Sequence, residues 1–126
     1  MYELGPGILP HSICVPLTAT ARAKELYFYP VLCGHYDCDR SYRVSRENYA
    51  NPLLLFLRKG NMLLEYDGVQ YHVEKGDVIL LDCDRPHSYA ANPAAEFLYL
   101  HFDGCNARAL TRAISASSPI VRREEN

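Results

Sequence analysis

The stretch from Met62 to Val73 constrains the fold more than any other part of the chain. Every second residue is apolar from Met62 to Tyr66, and again from Val69 to Val73 beyond Asp67-Gly68. Asp-Gly suits a two-residue type I′ turn, in which both central residues adopt positive φ. A loop that short fixes the register, setting Tyr66 opposite Val69, Leu64 opposite Tyr71 and Met62 opposite Val73. Met62, Leu64, Tyr66, Val69, Tyr71 and Val73 then share one face, while Leu63, Glu65, Gln70 and His72 share the other. Turn chemistry and side-chain pattern therefore agree. A lone hairpin is marginal in water, so this one needs further strands to cover its apolar face.

The rest of the chain supplies them. Short β-rich runs occupy residues 26–36, 53–58, 78–81 and 97–102, without intervening helical periodicity. Turn signals at Lys59-Gly60-Asn61, at Glu74-Lys75-Gly76-Asp77 and over residues 82–87 separate the runs, and residues 90–95 read as a polar loop. This spacing predicts a mainly β, antiparallel sandwich or barrel. Residues 1–25, broken by Gly5, Pro6, Gly7 and Pro10, read as an N-terminal arm with an edge strand near 13–17. Beyond Asp103-Gly104 the period changes. Asn106 is placed to cap a short C-terminal helix on which Ala107, Leu110 and Ile114 fall at helical spacing, before a charged tail over 122–126. The expected parts are an arm (1–25), a barrel (26–104) and the start of a helical segment (105–126).

Composition narrows the function classes. The formal net charge is -2 and the pI about 6.2, without the basic stripe that a phosphate-gripping surface carries. This chain alone is not expected to bind DNA. Its five cysteines form no regular framework and no secretory leader precedes them, so reduced thiols in the cytoplasm are expected. The longest apolar run, 53–57, is too short to span a bilayer. Ten Tyr, four Phe and no Trp make the aromatic complement lopsided towards rings with a polar tip, which suit either half-buried strands or a polar pocket.

An ordered set of short pieces carries a family resemblance. They are Cys33-Gly34-His35-Tyr36-Asp37-Cys38, Arg46, Leu57-Arg58-Lys59-Gly60, Glu65-Tyr66-Asp67-Gly68-Val69-Gln70-Tyr71, Lys75-Gly76-Asp77-Val78-Ile79-Leu80-Leu81, Pro86-His87-Ser88-Tyr89 and His101-Phe102-Asp103-Gly104. In this order and spacing the chain resembles the arabinose-binding and dimerisation domain of AraC-type transcription regulators, a branch of the cupins. The resemblance implies a cupin-like antiparallel β-barrel (jelly-roll) with a short C-terminal helix. It further implies a homodimer through a helix starting near Asn106. DNA would be bound only through a C-terminal helix-turn-helix domain missing from this chain.

Metal chemistry is the main rival to this picture. Metal-binding cupins resemble one another in a His-x-His pair and a Glu before the first glycine turn, with a later His. Here the corresponding stretch is Ser41-Tyr42-Arg43-Val44-Ser45-Arg46, leaving His87 alone. A catalytic metal needs about three protein ligands, so no metal and no cofactor are expected. Cys33-x-His35-x-x-Cys38 matches no common zinc motif and reads better as buried thiols beside a hydrogen-bonded His. No nucleophile with its base and no pair of carboxylates stands out, so an enzyme is not expected.

Binding of a small molecule is the favoured reading, with Arg46, His87, Tyr89, Phe97, Tyr99 and His101 as the candidate site. An inward Arg46 would need an anion or a polar ligand, because burying an unpaired guanidinium is costly. The resemblance places Tyr89 and Tyr99 where arabinose-responsive members offer a Tyr and an aromatic platform. Arg43 competes with Arg46, Tyr66 and Tyr71 read as packing, and His72 as solvated. The expected function is sensing of a small polar metabolite, with a sugar the example the family offers. Two alternatives stand beside it. One is a stand-alone cupin enzyme, a metal-dependent isomerase or dioxygenase; the other is a ligand-free dimerisation module filled by its own side chains.

Overall fold

The computed structural model describes residues 4–122. Eight strands and two short helices follow one another as β1 (Ile13–Pro16), α1 (Ala21–Leu26), β2 (Phe28–Cys38), β3 (Arg43–Arg46), β4 (Leu53–Tyr66), β5 (Val69–Glu74), β6 (Val78–Leu81), β7 (His87–Gly104), α2 (Ala107–Ile114) and β8 (Ile120–Val121). Every pairing is antiparallel. The hairpin across Asp67-Gly68 has the expected register, with Tyr66 opposite Val69, Leu64 opposite Tyr71 and Met62 opposite Val73. Asp67 and Gly68 both adopt positive φ, 50° and 84°, as the turn type requires.

Two long strands organise the rest. β4 and β7 pair along nearly their whole lengths. The C-terminal half of β7 takes β2 on its free edge, and the N-terminal half takes β3. Likewise β4 takes β6 along its first half and β5 along its second. The order β1-β2-β7-β4-β6-β8 and the order β3-β7-β4-β5 thus share their two central strands. This is a cupin-like jelly-roll, in which strands turn corners to serve two sheets.

The corners correct two expectations. Lys59-Gly60-Asn61 is not a turn between strands, and residues 90–95 are not a loop. Both lie within continuous strands, facing each other where the β4–β7 register slips between Leu57 and Lys59 and again between Gly60 and Met62. Such bulges bend a strand without ending it. Gly60, at φ 81°, lies so close to the Ala94 carbonyl that a Cβ would collide with it.

Side-chain alternation fills the interior. Leu53, Leu55, Leu57, Met62, Leu64, Val73, Ile79 and Leu81 are buried, whereas Leu63, Glu65, Gln70 and His72 face outward. Val69, near the hairpin tip, is 52% exposed. The N-terminal arm packs on the barrel, with Leu9 N donating to Asp37 O (2.8 Å) and Asp39 N to Gly7 O (2.9 Å). It also contains α1, which the sequence reading left as arm, capped by Thr20 Oγ1 accepting from Ala23 N at 3.1 Å.

Asn106 stands at the α2 N-cap, but in a left-handed conformation and without a side-chain capping bond. The helix docks through Ala107 and Thr111, while Leu110 and Ile114 of the expected apolar stripe are exposed. Arg112 Nε donates to Asp82 Oδ2 at 2.5 Å. The chain then returns to the barrel edge as β8, beside β6. Among the described residues no helix is long and apolar enough to cross a membrane.

Candidate ligand-binding site

The period of two along β7 sends residues at every second position into the barrel. Residues 87, 89, 97, 99 and 101 are all buried, each by nine-tenths or more. Across from them, the short β3 turns Val44 and Arg46 inward and Arg43 and Ser45 outward. A cavity of about 150 Å³ opens between these strands. Leu32 and Tyr36 of β2, Val44 and Arg46 of β3, Leu55 of β4, and Tyr89, Phe97, Tyr99 and His101 of β7 line it. Tyr42 adds to the wall ahead of β3, and Leu4 and Ile8 of the arm close one side.

Five of the six candidate residues therefore share one cavity: Arg46, Tyr89, Phe97, Tyr99 and His101. His87 stands beside it, opposite Arg46 in the β3–β7 register, with its ring 6.4 Å from that of Tyr89. It lines an adjoining depression of about 200 Å³ to which Arg46 also contributes. Arg43 borders a separate outer hollow, which leaves Arg46 as the inward arginine. Tyr66 and Tyr71 pack against the core outside the cavity, and Tyr66 donates to the Asp82 carbonyl at 2.9 Å.

The electrostatics are those of a single cation among neutral donors. The Arg46 guanidinium lies 4.4 Å from the centroid of the Tyr49 ring, a cation–π contact. Among the described residues its Nη1 is nevertheless buried without a hydrogen-bond partner, as are Tyr99 Oη and His87 Nε2. His87 Nδ1 donates to the Arg85 carbonyl at 2.8 Å, leaving Nε2 as a bare acceptor in the neutral ring. His101 Nδ1 is 3.3 Å from the Asn51 carbonyl, and its ring packs against Tyr49. Burial pushes both histidines below their ordinary pKa, and the Arg46 charge acts in the same direction. Both rings are therefore neutral at pH 7.

Burial raises the phenols as well. Tyr89 is pushed up to about 12, with the neighbouring Arg46 charge opposing the shift. Tyr99 and Tyr42 are raised further, again chiefly by burial. All three remain O–H groups at neutral pH. The buried thiols Cys38 and Cys83 are pushed up to about 12 by burial, so neither is a ready nucleophile. Cys38 lies on the opposite face of β2 from Cys33 and His35, so those three side chains do not converge. Among the described residues no group of three or more His, Cys, Asp or Glu side chains is arranged to hold a metal ion.

Comparison with known proteins bears on this geometry. The family described as the AraC-like ligand binding domain matches residues 29–125. The chain belongs to that family. A curated relative, the MmsAB operon regulatory protein of Pseudomonas aeruginosa, is 32% identical over 88 residues, covering 67% of this chain and 28% of the relative. The AraC-like domain thus spans little more than a quarter of that relative. Among solved structures, a cupin superfamily protein from Desulfitobacterium hafniense superposes with a TM-score of 0.55 at 15% identity, covering 73% of this chain and 77% of that one. An HTH_3 family transcriptional regulator from Vibrio cholerae gives 0.57 at 16% identity, covering 75% and 52%. At such identities the likeness is one of fold.

Several wall residues of the AraC-like domain escaped the sequence reading. Tyr36 follows the strand period and was open to discovery, since it lies two positions beyond Gly34. Gly34 itself makes room for the site: a Cβ there would lie 2.7 Å from Tyr99 Cε1 and 2.8 Å from its Oη, and would strike the Ile13 carbonyl. Tyr42, Leu4 and Ile8 carried no periodic signal. Tyr42 is held where Gly7, at φ 79°, packs against its backbone.

Proposed function

We propose that the chain is the effector-sensing domain of a transcription regulator and binds one small polar metabolite inside the barrel. The observation that carries this reading is a set of buried polar atoms without partners among the described residues: Arg46 Nη1 and Tyr99 Oη in the cavity, and His87 Nε2 beside Arg46 in the adjoining depression. Leaving such groups unmatched costs about 1–3 kcal/mol each, more for a charge, so their retention favours a ligand that satisfies them. The family's example of a polar effector is a sugar. Phe97 and Leu55 would supply the apolar contact, and Arg46 and the phenols the orientation.

In this reading the protein is a receptor rather than an enzyme. The neutral buried thiols and the absence of a metal-ligand cluster among the described residues both favour binding over catalysis. The segment ahead of β1 is the movable cover, because Leu4 and Ile8 line the cavity while bonds from Gly7, Leu9, His11 and Ser12 tie that segment to β2 and Asp39. Occupancy changes how the α2 region is presented to a second copy of the chain. DNA is contacted by a helix-turn-helix domain in sequence outside this chain, in the cytoplasm, where the target DNA lies. A ligand shifts such an equilibrium only by its differential affinity for the two arrangements.

A thermal-shift screen of the purified chain against sugars and small metabolites tests the proposal. The expected result is at least one compound that raises Tm in the wild type and has no effect on Arg46→Ala. Silence across a broad panel overturns the receptor reading in favour of a barrel filled by its own side chains.

A further inference from the structure

We infer that the effector is a small organic monocarboxylate, smaller than a sugar, held with its carboxylate on Arg46. This rests on the receptor reading above and narrows the class of ligand. Charge is the first argument. Among the described residues of the cavity wall, Arg46 is the only formally charged side chain, and none is Asp or Glu. Among the described residues Arg46 makes no ion pair. Glu47 and Glu65 border the adjoining depression rather than the cavity and are exposed. A guanidinium with a buried, bare N–H and no counter-ion is matched best by an anion brought in with the ligand.

The neighbours do not cancel that preference. Tyr89 and Tyr99 are un-ionised, so they offer O–H groups rather than negative charge. His87 and His101 are neutral at pH 7 and add no repulsion. One cation therefore faces neutral hydrogen-bonding groups and aromatic walls. A neutral sugar would leave that charge without a counter-ion, whereas a carboxylate would accept from Nη1 directly.

Size is the second argument and is independent of charge. A cavity of about 150 Å³ takes a molecule the size of benzene, roughly six non-hydrogen atoms. A pentose with its hydroxyls carries nearly twice as many. A carboxylate with a short carbon skeleton fits, its apolar part against Phe97, Leu55 and Val44.

Isothermal titration calorimetry on the whole chain distinguishes the possibilities, with acetate, butyrate and 2-hydroxybutyrate as probes, butyramide as a neutral isostere and L-arabinose as the sugar. At least one carboxylate is expected to bind, about tenfold or more tighter than butyramide, with no heat from arabinose at the same concentrations. The carboxylate's advantage disappears in Arg46→Gln and is partly restored in Arg46→Lys, which keeps the charge. If Arg46→Gln does not fold, wild type and Arg46→Lys still decide, because the amide comparison needs no variant. Arabinose or butyramide binding as tightly as the carboxylates overturns the inference and leaves the receptor reading standing. The same holds if all the carboxylates fail while a neutral compound from the wider screen binds. Failure of every compound in both experiments overturns both.

Discussion

β4 and β7 are hydrogen-bonded partners over nearly their entire lengths and turn the same corner, yet they present opposite chemistry to the interior. β4 sends in Leu53, Leu55, Leu57, Met62 and Leu64, all essentially without exposure. β7 sends in His87, Tyr89, Ala91, Ala95, Phe97, Tyr99 and His101. The first set gains stability in proportion to the apolar area removed from water. The second is also buried but leaves two polar atoms, His87 Nε2 and Tyr99 Oη, without partners among the described residues. β4 thus contributes apolar packing alone, whereas β7 combines packing with polar groups suited to recognition.

The largest effect that tests this division is expected on β4. Leu57→Ala removes a side chain with no exposed surface and should cost about 2–5 kcal/mol in urea denaturation, as core Leu truncations do. Effector binding, measured where the variant is still folded, should keep its compound preference. A cost below about 1 kcal/mol would mean that the Leu57 side chain is not part of the packed core.

Gly34→Ala comes next and couples the two regions. The new methyl group meets the Ile13 carbonyl and the Tyr99 ring together, so either β1 or Tyr99 must move. Overpacking of this kind costs about 1–3 kcal/mol. Because Tyr99 lines the cavity, binding should weaken as well. A stable variant with unchanged binding would show that Tyr99 is not held in place by its contact with Gly34.

These positions also show what could be read in the sequence and what could not. The hairpin was legible because Asp67-Gly68 and the alternation on either side demand the same register. Tyr99 and His101 were legible because strand period places them two apart on one face. The continuity of β4 and β7 was not legible: Gly60 and Pro93 look locally like breakers, and only the pairing of the two strands shows them at a shared corner. α1 spans six residues, too short for a helical period to register, although Thr20 offered a cap. The apolar stripe on α2 pointed the wrong way, since the small Ala107 and Thr111 let the helix sit close while Arg112 anchors it to Asp82. Tyr42 reaches the cavity only through the closing of residues 39–42 against the arm, which no local pattern encodes.

The pH dependence of stability is expected to follow the β7 side. His87 and His101 have folded pKa values below the ordinary histidine value, mainly through burial. The unfolded chain then binds more protons as pH falls below about 6.5, so their contribution is complete above that pH and lost progressively beneath it. A second loss belongs to Asp82. Burial opposes its ionisation, but Arg112 and the Asp84 amide offset this and hold its carboxyl below the usual range. That contribution is present above about pH 4 and disappears in stronger acid. Tm recorded from pH 7.5 to 3.5 should therefore fall in two stages. Replacing both histidines with Gln should remove the upper stage alone. A wild-type Tm that is flat between pH 7 and 5 would contradict the burial of neutral imidazoles.

The smallest change in stability is expected from Tyr99→Phe, and its smallness is the point. The hydroxyl has no hydrogen-bond partner among the described residues, although the atom is buried. Removing it deletes an unsatisfied polar group and leaves the ring contact with Tyr36, at 4.6 Å between centroids, in place. Stability in urea should stay within about 1 kcal/mol of wild type or rise slightly, because no bond is lost and a desolvation penalty is relieved. Binding should respond in the other direction, weakening about tenfold if the hydroxyl donates to the effector. A loss of stability comparable with that of Leu57→Ala would place Tyr99 with β4 in the structural core. A small change in stability with weakened binding would hold the two strands apart in function, as their side chains differ in chemistry.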